Sequence, residues 1–379
     1  MSLVLNEEQT LLQSTARDFL LTNSPVDEFR KLRDSRDALG YSAELWQQIA
    51  DLGWAGIIIP EQYGGLEFGF QGLAAIIEET GHTLLASPLI SSSVLSASAL
   101  VLGGNEKQKN DFLPQLANGS ITLALALEDG NHHDPLGVTT SANPSDGGWL
   151  VNGRKVFVMD GHSADQLILV ARTSGAAGES QGLSLFLVDA ASAGITRTRT
   201  TMVDGRNAAN IELENVAVGA DQLLGTVDDG WTILEPVLDR GRIALAAELL
   251  GSAWEAFNRT VEYLKEREQF GVKIGSFQAL QHRASIMYTE LELSNSVVMH
   301  AASAVDDDPA GLPAIASLAK ARMNDVSKLV TNEAVQMHGG IGVTDELDIG
   351  LFLKRSRVAM QLLGDSGYHK DRYATLNGY

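Results

Sequence analysis

The sequence predicts a multi-domain α+β fold: an N-terminal helical domain, a middle β-barrel or sandwich domain, and a C-terminal four-helix bundle. Three observations carry this. Apolar residues recur at helical spacing to about residue 118 and again from Asp228 onward. Between about Ile121 and Gln222, short β-type runs are separated by glycine-rich turns. The longest helical pattern, within Gly225 to Gln278, ends in a turn that carries Arg, Phe and Gln. The implied boundaries are 1–119, 120–225 and 226–379.

In the first domain, Leu11, Leu12, Ala16 and Leu20 mark one helix, and Leu45, Ile49 and Leu52 mark another that ends at Gly53. Leu73 to Ile77 and Ser92 to Leu102 mark two more. Trp54 to Gly65 is a short apolar run closed by Pro60 and the Gly64-Gly65 pair, and reads as a helix-to-helix connection. Leu123–Leu127, Trp149–Val158, Gln166–Ala171, Leu183–Val188, Thr196–Met202 and Asn210–Glu214 read as strands. Helices are then expected near 229–266, 278–306, 313–337 and 347–363, enough for an antiparallel bundle. In the first of these, Ile233, Val237, Leu238, Leu245, Leu249 and Leu250 form one apolar face. Pro236 sits near its start, where a missing N–H costs least.

The chain has 379 residues, enough to bury a sizeable core in two or three domains. A formal net charge of −20 argues against nucleic acid or an anionic membrane as partner. With no cysteine, disulfides, thiolate metal sites and a cysteine nucleophile are excluded. His132 and His133 have no third ligand at a suitable spacing, so no metal site is expected, and the pair reads as a solvent-exposed loop. The N-terminal string Met-Ser-Leu-Val-Leu-Asn-Glu-Glu-Gln is acidic and soon helical, unlike a secretory or organelle leader. No apolar run reaches the roughly 20 residues that cross a bilayer. A cytoplasmic location is the expectation.

Tyr263-x3-Arg267-x-Gln269-Phe270-Gly271-x2-Ile274-x2-Phe277-Gln278, followed by Gln336-Met-His-Gly-Gly-Ile-Gly342, resembles the paired signature of acyl-CoA dehydrogenases. The Pro60-Glu-x-Tyr-Gly-Gly65 string resembles the N-terminal domain of the same family. The resemblance implies bound FAD and removal of an α-proton and a β-hydride from an acyl-CoA thioester. It implies that Arg267 meets the FAD pyrophosphate, a task suited to guanidinium, while Phe270 and Gln278 flank the dinucleotide. Gln336 and the backbone at Gly339 and Gly340 would hold the adenine half. Leu127, Phe157, Met159 and Ser366 are further implied flavin contacts. In the family this flavin is shared with a neighbouring subunit, so a dimer or tetramer is implied, and electron-transferring flavoprotein is the expected acceptor.

The chain departs from the family pattern in four places. The family's Thr-Glu-Pro-x-Ala-Gly-Ser-Asp loop is replaced by Leu127-Glu-Asp-Gly-Asn-His-His-Asp-Pro135, and Met159 stands where a hydroxyl residue would donate near the flavin ring. Both positions that carry the family's catalytic Glu hold glycine, Gly241 and Gly364. Asp365 is the nearest carboxylate and the candidate base; its plainer reading is a helix cap. Glu248, two turns beyond Gly241 on the same helix, is a rival. Asp239, Gly241 and Arg242 match residues that line the acyl-CoA site; Gly241 reads either as a close helix contact or, with Gly364, as room for a bulky acyl group. Three readings follow: an acyl-CoA dehydrogenase, a base-less flavin-binding subunit of a mixed assembly, and a flavin monooxygenase on the same fold.

Overall fold

The computed structural model describes residues 4–379, so the first three residues of the N-terminal string lie outside the described residues. In chain order the helices begin with α1 (Glu7–Asn23), α2 (Val26–Ser35), α3 (Ala43–Asp51), α4 (Phe70–Thr83), α5 (Ala97–Gly103) and α6 (Glu106–Ala117). The strands are β1 (Leu123–Ala126), β2 (Ser141–Ser145), β3 (Gly148–Met159), β4 (Gln166–Arg172), β5 (Leu183–Asp189), β6 (Ile195–Thr201), β7 (Asn207–Gly219) and β8 (Leu223–Leu224). There follow α7 (Trp231–Glu266), a hairpin of β9 (Glu268–Gln269) and β10 (Val272–Lys273), then α8 (Gln278–Asp307), α9 (Leu312–His338), α10 (Ile349–Ala359) and α11 (Ser366–Leu376). The chain groups into two compact bodies, one made of 4–31, 70–85 and 242–379, the other of 32–69 and 86–241. Among the described residues no helix is long and apolar enough to cross a membrane.

The second body is built on one eight-stranded sheet in the order β6-β7-β3-β2-β4-β5-β8, with β1 added in parallel to β4. Six of its strands contribute to a single core, from Ala124 and Val151 to Phe186 and Ile211, so the sheet wraps around its own apolar face. Strand β2 was not legible in the sequence. It is short, contains Pro144 and carries exposed polar residues, and it exists because it pairs with β3. Helix α6 also lacks a clear apolar stripe; an Asn105–Gln108 capping box starts it.

In the first body, α8 and α9 pack along one another, and α10 and α11 both pack on α9. The bundle therefore has a fifth helix, α11, where the sequence suggested four, and the helix expected to run to 363 stops at Ala359. Helix α4 crosses α7 where both backbones are bare. A Cβ on Gly251 would stand 1.8 Å from the Glu78 carbonyl oxygen, and one on Gly81 would stand 2.2 Å from that of Glu248. Beside this crossing Glu248 is held bidentately by Arg355, at 2.9 and 2.6 Å, with both side chains buried. Backbone oxygens cannot yield as a flexible side chain can. Gly251→Ala is expected to destabilise the protein by about 3 kcal/mol or more, the upper range for overpacking. Chemical denaturation measures this, and an unchanged midpoint would contradict the close crossing.

Candidate active site

The two halves of the signature meet through Tyr263, in the last turns of α7. Its ring stacks on that of His338 at the end of α9, with centroids 4.4 Å apart, and its hydroxyl donates to the His338 carbonyl at 3.3 Å. His338 donates Nδ1–H to the Ala334 carbonyl at 2.7 Å, and burial holds its pKa below the ordinary value despite that bond. Two neutral rings thus fasten the helix that leads to Arg267 against the helix that leads to Gly339.

Beyond α7 the chain turns back through β9 and β10. Phe270 and Gly271 form the two-residue tip, both with positive φ, +56° and +77°, the pattern of a type I′ hairpin. A left-handed conformation is unusual for a bulky residue, and Phe270 is also 91% exposed. The turn accounts for the φ, whereas the exposed ring has only an edge contact with Phe277, at 6.2 Å between centroids. Arg267 is fixed at its backbone by bonds to Tyr263 and Ile274, while its exposed guanidinium pairs with no described residue. Gln278 opens α8, whose N-cap residue, Phe277, supplies no side-chain cap; the Leu280 and Gln281 N–H groups bond to the Phe277 carbonyl, which leaves those of Gln278 and Ala279 for an anion. At the end of α9, Gly339 has φ +66° and ψ −144°, a region essentially confined to glycine. A Cβ on Gly339 or Gly340 would meet nothing within 4 Å. Gln336 is exposed on the last turn of α9. An uncommitted guanidinium, an outward phenyl ring, an uncapped helix start and open glycine backbone are the groups that a dinucleotide needs.

In the other body, the predicted flavin-ring residues share one corner of the sheet. The register of β3 against β7 slips between Lys155 and Val158. This bulge leaves Phe157 at φ +51° and partly exposed, with its N–H bonded to Asn210 Oδ1 at 3.2 Å. The loop after β1 is tied to the same place. Lys155 Nζ donates to the Leu127 carbonyl at 2.8 Å and to Asp129 Oδ1 at 2.6 Å, and the Val156 N–H donates to the Glu128 carbonyl at 2.8 Å. Burial opposes the Asp129 charge, but Lys155 and the N–H groups of Thr139 and Thr140 outweigh it and hold the pKa down. Leu127 is buried and Met159 half-buried. The reading of His133 as solvent-exposed is corrected: its side chain is only 4% exposed and Nδ1 lies 2.5 Å from Glu128 Oε1. Its partner sits five residues away across an irregular loop, a relation no periodicity reveals. His132 is exposed, as expected.

The positions proposed for substrate and base fall in two groups. Asp239, Gly241 and Arg242 lie together on α7, with Asp239 and Arg242 fully buried. Arg242 donates to the Leu363 carbonyl and to the Tyr368 hydroxyl, each at 3.3 Å, and lies 5.6 Å from the centre of that ring. It braces the segment between α10 and α11. Asp365 is exposed and is the N-cap of α11, accepting the Tyr368 N–H at 2.9 Å. Ser366 donates to Asp325 at 2.8 Å. Glu248, the rival base, is committed to Arg355. Gly364 has φ +111°, so the local backbone by itself favours glycine there. Sequence reasoning passed over Lys320, which is fully buried on α9. Its Nζ donates to the carbonyls of Ala359 (2.9 Å) and Gly364 (3.2 Å) and to Asn324 Oδ1 (2.8 Å). Burial, with Arg242 and Arg355 nearby, puts its pKa well below the ordinary lysine value.

Comparison with known proteins agrees with this arrangement along the whole chain. The N-terminal, middle and C-terminal domain models of acyl-CoA dehydrogenase match residues 6–120, 124–216 and 228–375. The caffeyl-CoA reductase-Etf complex subunit CarC of Acetobacterium woodii is 30% identical over 362 residues, covering 93% of each chain. Mitochondrial isovaleryl-CoA dehydrogenase of Pongo abelii is 30% identical over 372 residues, covering 93% of this chain and 85% of its own. Among solved structures, a variant of the Tcur3481-Tcur3483 steroid ACAD superposes with a TM-score of 0.88 at 31% identity, covering 98% of each chain. The chain belongs to the acyl-CoA dehydrogenase family, whose members are FAD-dependent flavoprotein oxidoreductases.

The Lys320 ammonium can be tested without cofactor. Lys320→Met keeps much of the volume but strands the Ala359 carbonyl in a dry site and leaves the Gly364 carbonyl only the 3.3 Å bond from Asn324 Nδ2. A loss of about 2–4 kcal/mol in unfolding free energy is expected, since each unmet buried polar group costs about 1–3 kcal/mol. A loss below about 0.5 kcal/mol would show that the segment between α10 and α11 does not depend on it.

Proposed function

We propose that this chain takes part in FAD-dependent α,β-dehydrogenation of an acyl-CoA thioester with a bulky acyl group. The observation that carries the proposal is that the Tyr263–His338 stack joins the segments carrying Arg267, Phe270 and Gln278 to those carrying Gln336, Gly339 and Gly340, which together form the proposed dinucleotide clamp. The bound flavin would supply the hydride-accepting chemistry. Arg267 would neutralise pyrophosphate charge, Phe270 would cover an apolar edge, and Phe157 would offer its exposed ring to the flavin ring. Because the clamp points outward, the flavin it holds would be shared with a neighbouring chain, in a dimer or tetramer. Met159 can donate no hydrogen bond near that ring. Electron-transferring flavoprotein is the acceptor this reading implies, and CarC belongs to an Etf complex by name.

Asp365 is the base in this reading, free to take the substrate's α-proton on the carboxylate oxygen that does not cap α11. Gly241 is the residue behind the bulky acyl group: a glycine inside a 36-residue helix costs about 0.5–1 kcal/mol relative to alanine, and this one is buried beside Arg242 in sequence. The positive φ of Gly364 accounts for its identity without any substrate, so the argument about acyl size rests on Gly241.

A second reading has a specific observation behind it. Asp365 already serves as a helix cap and Glu248 as half of a buried ion pair, which leaves no candidate carboxylate without a structural duty. The chain would then be the base-less, flavin-binding partner in a mixed assembly; the paired name Tcur3481-Tcur3483 of the steroid ACAD fits such an arrangement.

One set of variants separates the two. Asparagine caps a helix about as well as aspartate, so Asp365→Asn removes the base and keeps the cap. If Asp365 is the base, the purified flavoprotein is bleached anaerobically by an acyl-CoA, and Asp365→Asn abolishes bleaching with stability unchanged within about 0.5 kcal/mol. Bleaching that survives in the variant would remove Asp365 from the mechanism. If the chain is base-less, wild type does not bleach alone, and Gly241→Glu gains bleaching. For the clamp, Arg267→Ala and Phe270→Ala are expected to leave stability within about 0.5 kcal/mol of wild type while the protein purifies with markedly less FAD.

A further inference from the structure

Asp365 follows an irregular stretch of chain, yet the residues on either side of it are fastened to one helix, α9. The Gly364 carbonyl belongs to the same peptide group as the Asp365 N–H. It receives two buried donors, Lys320 Nζ at 3.2 Å and Asn324 Nδ2 at 3.3 Å. Asn324 Oδ1 in turn accepts from Lys320 Nζ at 2.8 Å, so the two side chains, one turn apart on α9, hold each other as well as the carbonyl. On the other side of Asp365, Ser366 Oγ donates to Asp325 Oδ1 at 2.8 Å, and Lys370, one turn into α11, pairs with Asp325 Oδ2 at 2.8 Å.

Local structure alone does not fix this peptide group. Glycine leaves both of its dihedral angles soft, and the Gly364 N–H has only a 3.3 Å bond to the Gln361 carbonyl. Rotating the peptide plane changes ψ of Gly364 and φ of Asp365 together and swings the Asp365 side chain. The carboxylate is tied to α11, by the Tyr368 N–H on Oδ1, and the Asp365 carbonyl accepts the His369 N–H at 3.1 Å. Where that capped end stands in the bundle is set from α9. Of the two anchors, the Asp325–Lys370 pair is largely exposed and weakened by water. Lys320 and Asn324 are fully buried, where hydrogen bonds are stronger and hold their geometry. The Asp365 charge is near enough to act on Lys320, against the downward pull of burial, Arg242 and Arg355 on its pKa.

We infer that Lys320 and Asn324 are positioning residues for proton abstraction: by holding the Gly364 carbonyl they set the direction in which Asp365 Oδ2 points. This deepens the reading of Asp365 as the base and rests on it. In the step they serve, the substrate's α C–H bond breaks, the proton passes to Asp365 Oδ2, and the electron pair stays on the thioester as an enolate. Lys320 and Asn324 touch none of the reacting atoms and act only through the peptide group. Misplacing a reacting group by about 1 Å costs about 10²-fold in rate, so loss of either donor slows proton removal without weakening substrate binding.

The test separates proton removal from hydride transfer. The probe is 3,3-dimethylbutanoyl-CoA, which has α-hydrogens but no β-hydrogen, so the FAD-loaded protein in deuterated water can exchange its α-protons and take no hydride. NMR follows the exchange. Wild type is expected to exchange and Asp365→Asn to lose exchange. Asn324→Leu is expected to exchange at least about tenfold more slowly at saturating thioester, with thioester affinity and FAD content within about twofold of wild type. Asn324→Asp, which removes the same donor but keeps the acceptor for Lys320, is expected to show the same loss and decides the matter if Asn324→Leu does not fold. Exchange lost in Asp365→Asn but undiminished in the Asn324 variants overturns the positioning role alone. So does slower exchange that is accounted for by weaker thioester binding or missing FAD. Exchange that is absent from wild type, or that survives Asp365→Asn, removes the base reading and this inference with it.

Discussion

The carbonyl groups that follow α10 have no continuing helix to receive them, and much of the C-terminal body is arranged around supplying donors. Lys320 on α9 holds those of Ala359 and Gly364, and Asn324 on the same helix also reaches Gly364. Arg242 from α7 donates to the Leu363 carbonyl, as does Nε2 of buried His369 on α11, at 2.9 Å. Three helices therefore converge on five or six residues of irregular chain. Leaving such groups dry and unpaired is costly. The demand for donors explains why a lysine and an arginine are buried here, where two cations lie near one another.

This cluster marks the limit of what the sequence discloses. Helical periodicity reveals α1, α3, α4 and the long helices because their apolar faces are broad. It says little about α2, α6 or α11, which are short or polar, or about β2, which exists only through its pairing with β3. In the candidate site, the signature residues are recognisable as a string, and the structure adds why they work as a unit: the Tyr263–His338 stack joins segments 75 residues apart. Lys320 was invisible because a lysine in a helical pattern reads as a solvated face. The ion pair of Glu248 with Arg355 and the His133–Glu128 contact were hidden for the same reason, since periodicity carries no information on which charges find each other.

The exposed groups form a complementary pattern. An outward phenylalanine in a left-handed turn, a guanidinium without a counter-ion and an uncapped helix start are each poor choices for a surface that meets only water. Gathered near one end of a bundle, they describe a face finished by something outside the chain. The residues proposed for the dinucleotide lie on the α7–α8 turn and the end of α9, whereas the positions proposed for base and substrate lie earlier on α7 and after α10, so the two sets can vary independently.

The conformation of Gly364 has a historical consequence. At φ +111° a side chain of any kind is strained, and the neighbouring carbonyls are pinned by Lys320, Arg242 and His369. Any side chain at that position would have to unseat those braces as well as bear the strained backbone. Over evolutionary time the dihedral angle and its bracing hold glycine in place together, since a single codon change can relieve neither.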